Sequence, residues 1–342
     1  MRLNHYKIAV LMGGVSAERD VSLVTGLNIA RTLKDSGHRV TALDVAYGDR
    51  EINCEKASPL ERVEKLQADE AQLKLLRKNI FKTVNYLGKE KFDLAFIALH
   101  GGYGENGQLQ AMLELAEIPF TGASSASSVL SMDKDISKIL VSRAGVPVAG
   151  WKMIHRNENL IFPEQFGFPV VVKPNDQGST VGLTIVEKAD AFSAAVQEAQ
   201  KFSDRVMVEE YIPGKELTVS VLGGKTLPTI DIQPISGFYD YESKYQSGKT
   251  NYVVPAEIPE AVNEKIHRWS KTVFETLLCR HYGRVDFRYD PETGRICFLE
   301  LNTLPGMTST SLVPKAAKSM GIQFNELLEE IITSAMNETR GR

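Results

Sequence analysis

The sequence predicts an α/β first third followed by two smaller α+β units. Three observations support this. Short apolar runs alternate with amphipathic stretches from residue 7 to about residue 99, the pattern of βαβ units. At 122–128 the texture changes to Gly, Ala and Ser, and a helical stretch then stops at Gly145-Val146-Pro147, which places a domain boundary near 122. Farther on, two alternating runs flank a turn at 290–294, the signature of a β-hairpin. With 342 residues the chain exceeds the span of one hydrophobic core, so we expect units at 1–122, 123–210 and 211–342.

Taken in order, Ile8-Ala9-Val10-Leu11-Met12 reads as the body of a first strand, 7–12. A helix at about 20–35 ends near Gly37, and strands follow at 39–45 and 93–99. Between them, 55–90 carries many charges and spaced leucines (Leu60, Leu66, Leu73, Leu76), the pattern of solvated amphipathic helices without chemistry of their own. The second unit should hold a helix at about 133–144 after a Ser-rich loop, strands at 169–173, 182–186 and 205–211, and a helix at about 189–202, its sheet antiparallel. In the third unit we expect strands near 216–222 and 225–233, a polar loop at 236–250, a helix at about 259–279 and the hairpin 284–301. The C-terminal 337–342 is expected to fray.

Composition narrows the function. Hydrophobic residues at 43% and charged residues at 24% match folded soluble proteins and exclude disordered or fibrous classes. A net charge of -3 supplies no basic field for a nucleic-acid backbone, so nucleic acid is not an expected partner. Cys54, Cys279 and Cys297 are odd in number and lack CxxC spacing, which argues against a disulfide framework or zinc site and for a reducing compartment. The first apolar run is too short for a signal peptide or a membrane span, and no membrane partner is expected.

Candidate chemistry begins with the hairpin. Alternation puts Glu300 and Asn302 on one face, and Asp286 on the preceding strand can sit opposite them, with Arg284 sharing its parity. Two carboxylates and an amide oxygen are hard ligands suited to Mg²⁺ on substrate phosphates; alternatively, the acids of a surface hairpin pair with nearby Arg or Lys. Lys173 ends the run Pro169-Val170-Val171-Val172 and precedes the loop 174–182, whose backbone N–H groups could cradle phosphate, although an ordinary hairpin has the same look. It is not a Walker A motif, because the GK[ST] order is missing.

Lys134 opens a helix and could also reach phosphate, the alternative being a solvated lysine. Met12-Gly13-Gly14-Val15-Ser16-Ala17-Glu18 follows the first strand, at the rim where open α/β sheets bind ligands; there Glu18 could take an ammonium group or merely cap the next helix. His100, after the apolar run ending at Leu99, lies on the same rim and could orient a small substrate or serve as a hydrogen-bonded structural residue.

In combination these residues resemble the D-alanine-D-alanine ligase family of the ATP-grasp superfamily, over essentially the whole chain from Lys7 to about Leu328. The family's GG-x-S-x-E-R-x-V-S is Gly13 to Ser22, its HG-x-x-GE-x-G is His100 to Gly107, and its R-x-D…E-x-N-x-x-PGMT is Arg284 to Thr308. The resemblance implies a Rossmann-like N-terminal (pre-ATP-grasp) domain followed by a two-part ATP-grasp fold that clamps nucleotide between its halves. It implies that Lys134 and Lys173 bind ATP phosphates, that Glu209, Glu210, Tyr211 and Ile212 meet the adenine, and that Glu216 accepts from the ribose.

By the same resemblance, Asp286, Glu300 and Asn302 would hold two Mg²⁺ ions, with Mn²⁺ as a substitute. Glu18 would bind the first D-alanine's ammonium, Ser311 and Leu312 the second D-alanine's carboxylate, and Arg284 with the Gly306 backbone the oxyanions. The mobile loop at 236–250 would bring Tyr245 to Ser179 and Glu18 and turn Lys244 to the phosphate. The first D-alanine's carboxylate would attack the γ-phosphate, and the second D-alanine's amine would then displace phosphate from the acyl phosphate. Tyr245 stands where depsipeptide-forming members carry histidine and so favours the amine nucleophile.

Two positions depart from the family pattern: Asn106 replaces Asp, and Thr180 replaces a second serine after Ser179. They bear on loop geometry, not on reaction class. The resemblance further implies a cytoplasmic homodimer joined through the N-terminal domain. Two other readings compete: an ATP-grasp ligase for a different acid or amine, D-lactate included, and a silent nucleotide-binding protein. The second would have no need of the intact set Arg284, Asp286, Glu300 and Asn302.

Overall fold

A computed structural model describes residues 5–54, 70–158, 160–235, 249–308 and 311–340, which build three sheets. In the first, β1 (Lys7–Met12) is central, parallel to β2 (Arg39–Asp44) on one side and β4 (Leu94–Ile97) on the other, with β3 (Glu51–Ile52) antiparallel on the edge of β2. The uninterrupted apolar run of β1 suits a strand covered on both faces. Around it lie α1 (Arg19–Asp35), α2 (Glu70–Lys78), α3 (Ile80–Glu90) and α4 (Gln108–Leu115). Leu73 and Leu76 fall on α2, whereas Leu60 and Leu66 lie outside the described residues.

The predicted Ser-rich loop is corrected by a helix, α5 (Ser125–Met132), which is followed by α6 (Lys134–Arg143). Ser124 starts α5 by accepting from the Ser127 N–H at 3.2 Å, and Ser127, Ser128 and Ser131 are buried against neighbouring elements. Serine has weak helix propensity; burial of a small-residue face overrides it here.

The second sheet is antiparallel as expected, in the order β5 (Trp151–His155), β8 (Arg205–Glu210), β6 (Val170–Pro174), β7 (Thr184–Val186). Helix α7 (Ala189–Ala199) covers it with Phe192, Ala195 and Val196. The third sheet runs β12 (Thr250–Val253), β11 (Ile230–Pro234), β9 (Lys215–Leu222), β13 (Tyr282–Asp290), β14 (Arg295–Asn302), with β10 (Lys225–Thr226) also on β9 and α8 (Glu260–Thr276) packed against it. The single strand expected at 225–233 is two, because Pro228 lacks the N–H that a continuous ladder needs. Of the loop 236–250, residues 236–248 lie outside the described residues.

Two helices close the chain, α9 (Leu312–Ser319) and α10 (Phe324–Arg340). Leu327, Leu328, Ile331, Ile332 and Ala335 of α10 are buried in the same core as β1, far away in sequence. The expectation of fraying from 337 is corrected: helix continues through Arg340, and Glu338 accepts from Arg280 Nη1 at 2.6 Å and lies 2.9 Å from His281 Nε2. His281 Nδ1 in turn accepts from the Gly122 N–H at 3.1 Å. Among the described residues no helix is long and apolar enough to cross a membrane.

Candidate nucleotide and substrate site

The β6–β7 hairpin, the β8–β9 crossover and the β13–β14 hairpin enclose a cleft of about 230 Å³. The register of the last hairpin sets Asp286 opposite Glu300 and Arg284 opposite Asn302, so all four share one face. A β-bulge at Asp286/Phe287 leaves Leu299 extra, and both Leu299 and Glu300 reach the cleft wall. Arg284 clamps Asp286 with two bonds, Nε to Oδ1 at 2.9 Å and Nη2 to Oδ2 at 2.8 Å, and Thr218 also donates to Oδ1. The Asn302 Oδ1 is buried with no hydrogen-bond partner among the described residues. A buried acceptor beside two carboxylates fits a hard cation better than it fits a closed structural hairpin.

Lys134 and Lys173 both line this cleft. Lys134 is buried rather than solvated: its Nζ donates to the Gln177 carbonyl at 2.6 Å and lies 3.6 Å from Glu300 Oε2. Burial and the nearby Lys173 lower its pKa, while Glu300 opposes the shift. The loop after Lys173 turns through left-handed backbone at Ser179 and Thr180, φ 52° and 61°, and Thr180 donates to the Ser179 carbonyl. Lys173 Nζ donates to Glu209 Oε2 at 2.6 Å. Burial pushes the Glu209 carboxyl up, but Lys138 and Lys173 outweigh it and hold it at about 2.

Glu209, Glu210, Tyr211, Ile212 and Glu216 all line the cleft along the crossover. Gly214 makes that crossover possible: at φ +91° a Cβ would stand 2.3 Å from the Tyr289 carbonyl oxygen. Arg288 ties it down, donating from Nε to the Ile212 carbonyl at 3.0 Å and from Nη2 to the Gly214 carbonyl at 2.9 Å.

On the rim of the first sheet, Glu18 precedes α1 without capping it; instead Ser179 Oγ donates to Glu18 Oε1 at 2.5 Å, across 161 residues of sequence. His100 is buried, its Nε2 3.2 Å from Thr25 Oγ1 and its Nδ1 3.7 Å from Glu105 Oε1, while its carbonyl accepts from Ser16 Oγ. It stands beside the Glu18 loop as a held residue. Burial and the charge of Glu18 raise the Glu105 pKa, and His100 counters them. Asn106 accepts from the Gln108 N–H at 3.1 Å, so its amide serves the start of α4 without needing a charge.

Beyond Asn302 the chain passes Gly306, where a Cβ would meet Ser311 Oγ at 2.8 Å. Ser311 Oγ accepts from the Thr308 N–H at 3.0 Å, and Ser311 and Leu312 open α9. Lys244 and Tyr245 lie outside the described residues. All three cysteines are free.

Sequence reasoning missed Lys138, Arg19, Asp44 and Arg288. Lys138 had a readable signal, since it lies one helical turn beyond Lys134 on the same face. Arg19 and Asp44 pair through Nη1 at 2.9 Å and through Nη2, while Arg19 Nη1 also donates to the Gly14 carbonyl at 2.7 Å and Asp44 Oδ1 accepts from the Gly14 N–H at 3.1 Å. Nothing local announces a partner 25 residues away.

Comparison with known proteins settles the kinship. The family model for the N-terminus of D-ala D-ala ligase matches residues 7–123, and that for its C-terminus matches residues 140–333. The chain belongs to the D-alanine–D-alanine ligase family. Members from Syntrophotalea carbinolica and Aquifex aeolicus are 41% and 38% identical to it, covering 97% and 96% of the chain and 97% and 100% of their own lengths. A crystal structure of the Bacillus anthracis D-alanine–D-alanine ligase complexed with ATP superposes with a TM-score of 0.78 at 32% identity, over 99% of both chains. The architecture is therefore that of this family of ATP-grasp ligases, with an N-terminal and a C-terminal part.

Proposed function

We propose that this enzyme joins two molecules of D-alanine, driven by ATP, to give D-alanyl-D-alanine, ADP and phosphate for peptidoglycan precursor synthesis. The observation that carries the reading is the Ser179–Glu18 bond: it sets the rim where an amino acid's ammonium would bind directly against the loop that covers the nucleotide cleft. A carboxylate held there lies within reach of a γ-phosphate, as acyl transfer through phosphate requires.

In this reading Lys134 and Lys173 hold the phosphates, Glu209 to Ile212 the adenine and Glu216 the ribose. Glu18 binds the first D-alanine's ammonium, with His100 beside it. Its carboxylate attacks the γ-phosphate to form an acyl phosphate. The amine of the second D-alanine, whose carboxylate is received by Ser311 and Leu312 at the start of α9, then attacks the acyl carbon, and phosphate leaves. Arg284 and the Gly306 N–H stabilise the tetrahedral oxyanion.

Asp286, Glu300 and Asn302 are the ligands we assign to Mg²⁺, two ions in the full site, with Mn²⁺ as a substitute. A bound cation there would neutralise phosphate charge. Closure of 236–250 would bring Lys244 and Tyr245 over the site and keep water from the acyl phosphate. We also adopt the division 1–122, 123–210 and 211–342, a homodimer through the N-terminal domain, and a cytoplasmic location.

The test is phosphate release by the purified protein with ATP and Mg²⁺, offered D-alanine, L-alanine, or D-alanine plus D-lactate, with mass spectrometry of the product. D-alanine-dependent release with a dipeptide product is expected. A depsipeptide product at neutral pH would overturn the nucleophile assignment, and no D-alanine dependence would overturn the reading as a whole.

A further inference from the structure

Val171, Ile185 and Leu299 give the cleft apolar walls suited to a flat base, and Glu209 sets a carboxylate into the same lining. Behind that carboxylate stands Lys138, none of its side chain exposed, bonded to Glu209 Oε1 and 5.2 Å from the Trp151 ring centroid. A fully buried ammonium is costly to desolvate, so its presence behind the wall calls for a reason.

We propose that Lys138 is a positioning residue for base recognition, clamping Glu209 as an ionised, fixed hydrogen-bond acceptor that admits an amino purine nucleotide and rejects an oxo purine. The inference rests on the nucleotide reading of the cleft and deepens it. An ionised carboxylate can only accept, whereas a protonated one can also donate. Against the ionised form, adenine's exocyclic amine finds an acceptor; the exocyclic oxygen of hypoxanthine meets lone pair with lone pair in a water-poor wall.

Burial alone would favour a neutral Glu209, and only its two ammonium partners keep it charged. Those partners are not equivalent. Lys173 lines the cleft and shares its charge with incoming phosphates, whereas Lys138 lies outside the cleft lining and bonds to Glu209 from behind. The dedicated counter-charge is therefore the one outside the cleft.

The experiment compares ATP with inosine triphosphate in the wild type, Lys138→Met, Lys138→Arg and Glu209→Gln, at saturating D-alanine, together with calorimetry of ADP against inosine diphosphate. Wild type should prefer ATP by at least about 100-fold in kcat/KM, and Lys138→Met should cut that preference by at least about tenfold. It should do so by raising the KM for ATP while the KM for D-alanine stays within about twofold, and Lys138→Arg should recover part of the preference. Glu209→Gln, whose amide can present either a donor or an acceptor, should lose the preference too. If Lys138→Met does not fold, Lys138→Arg decides the matter, a preference equal to that of wild type overturning the proposal. Unchanged preference in Lys138→Met, or a KM for D-alanine rising in step with that for ATP, would overturn the proposal. Absence of D-alanine turnover in the wild type would instead sink the ligase reading, and the calorimetric preference for ADP would still decide this one.

Discussion

Glu209 keeps its charge with 2% of its surface exposed because two lysines reach it from different elements, Lys138 from α6 and Lys173 from β6. Its folded-state pKa of about 2 lies below the ordinary 4.5, so its contribution to stability is present above pH 4.5 and is lost as pH falls toward 2. Urea unfolding of wild type and Glu209→Gln should show the largest gap at neutral pH, narrowing across that window. A gap independent of pH would contradict this. At the face we assign to Mg²⁺, Asn302→Leu should raise the magnesium concentration for half-maximal velocity by about tenfold or more, read by metal titration. The acids of this face were legible because β alternation fixes parity from sequence alone. Lys134 and Glu18 were legible only as candidates, since the burial that rules out a solvated lysine and the Ser179 contact that replaces a helix cap are not local properties.

The element that presents Glu18 is the turn between β1 and α1, fixed by the buried Arg19–Asp44 pair together with a glycine that admits it. At Gly13, φ +74°, a Cβ would lie 2.3 Å from Asp44 Oδ1, so the glycine lets the carboxylate approach. Removing one partner of such a pair leaves a buried charge: Asp44→Ala should cost about 3–5 kcal/mol of unfolding free energy by urea titration. In whatever fraction remains folded, the KM for D-alanine should rise more than that for ATP. Equal rises would mean that the turn does not position Glu18. Elements with a strong period or clear punctuation, such as β1, α1 and the β13–β14 hairpin, were legible in the sequence. Helix α5 was not, because serine's cap-forming chemistry points away from helix until packing is known. The split at Pro228 is written in the residue itself, which has no N–H for the ladder.

Across the whole molecule, the chain's last helix is stitched into its first core, and His281 sits where the parts meet, between Gly122 and Glu338. Burial and the neighbouring Arg280 cation depress the His281 pKa from 6.5 to about 4, against the pull of Glu338. Stability from the neutral imidazole is therefore present above pH 6.5 and lost as pH falls toward 4. Wild type should lose unfolding free energy across that window faster than His281→Gln, and parallel curves would contradict the assignment. This closure was the least legible feature, because contacts between residues more than 150 positions apart leave no periodic trace. The kinship itself was legible, since three ordered motifs spread over the chain constrain it jointly.

In the proposed reaction a D-alanine carboxylate is phosphorylated before the peptide bond forms, and isotope transfer reads that order out. D-alanine carrying oxygen-18 in its carboxylate would be turned over with ATP and Mg²⁺, and the released phosphate analysed by mass spectrometry. D-alanyl-D-alanine is expected together with phosphate bearing one labelled oxygen per turnover. Unlabelled phosphate accompanying dipeptide, or phosphate released without dipeptide, would contradict it.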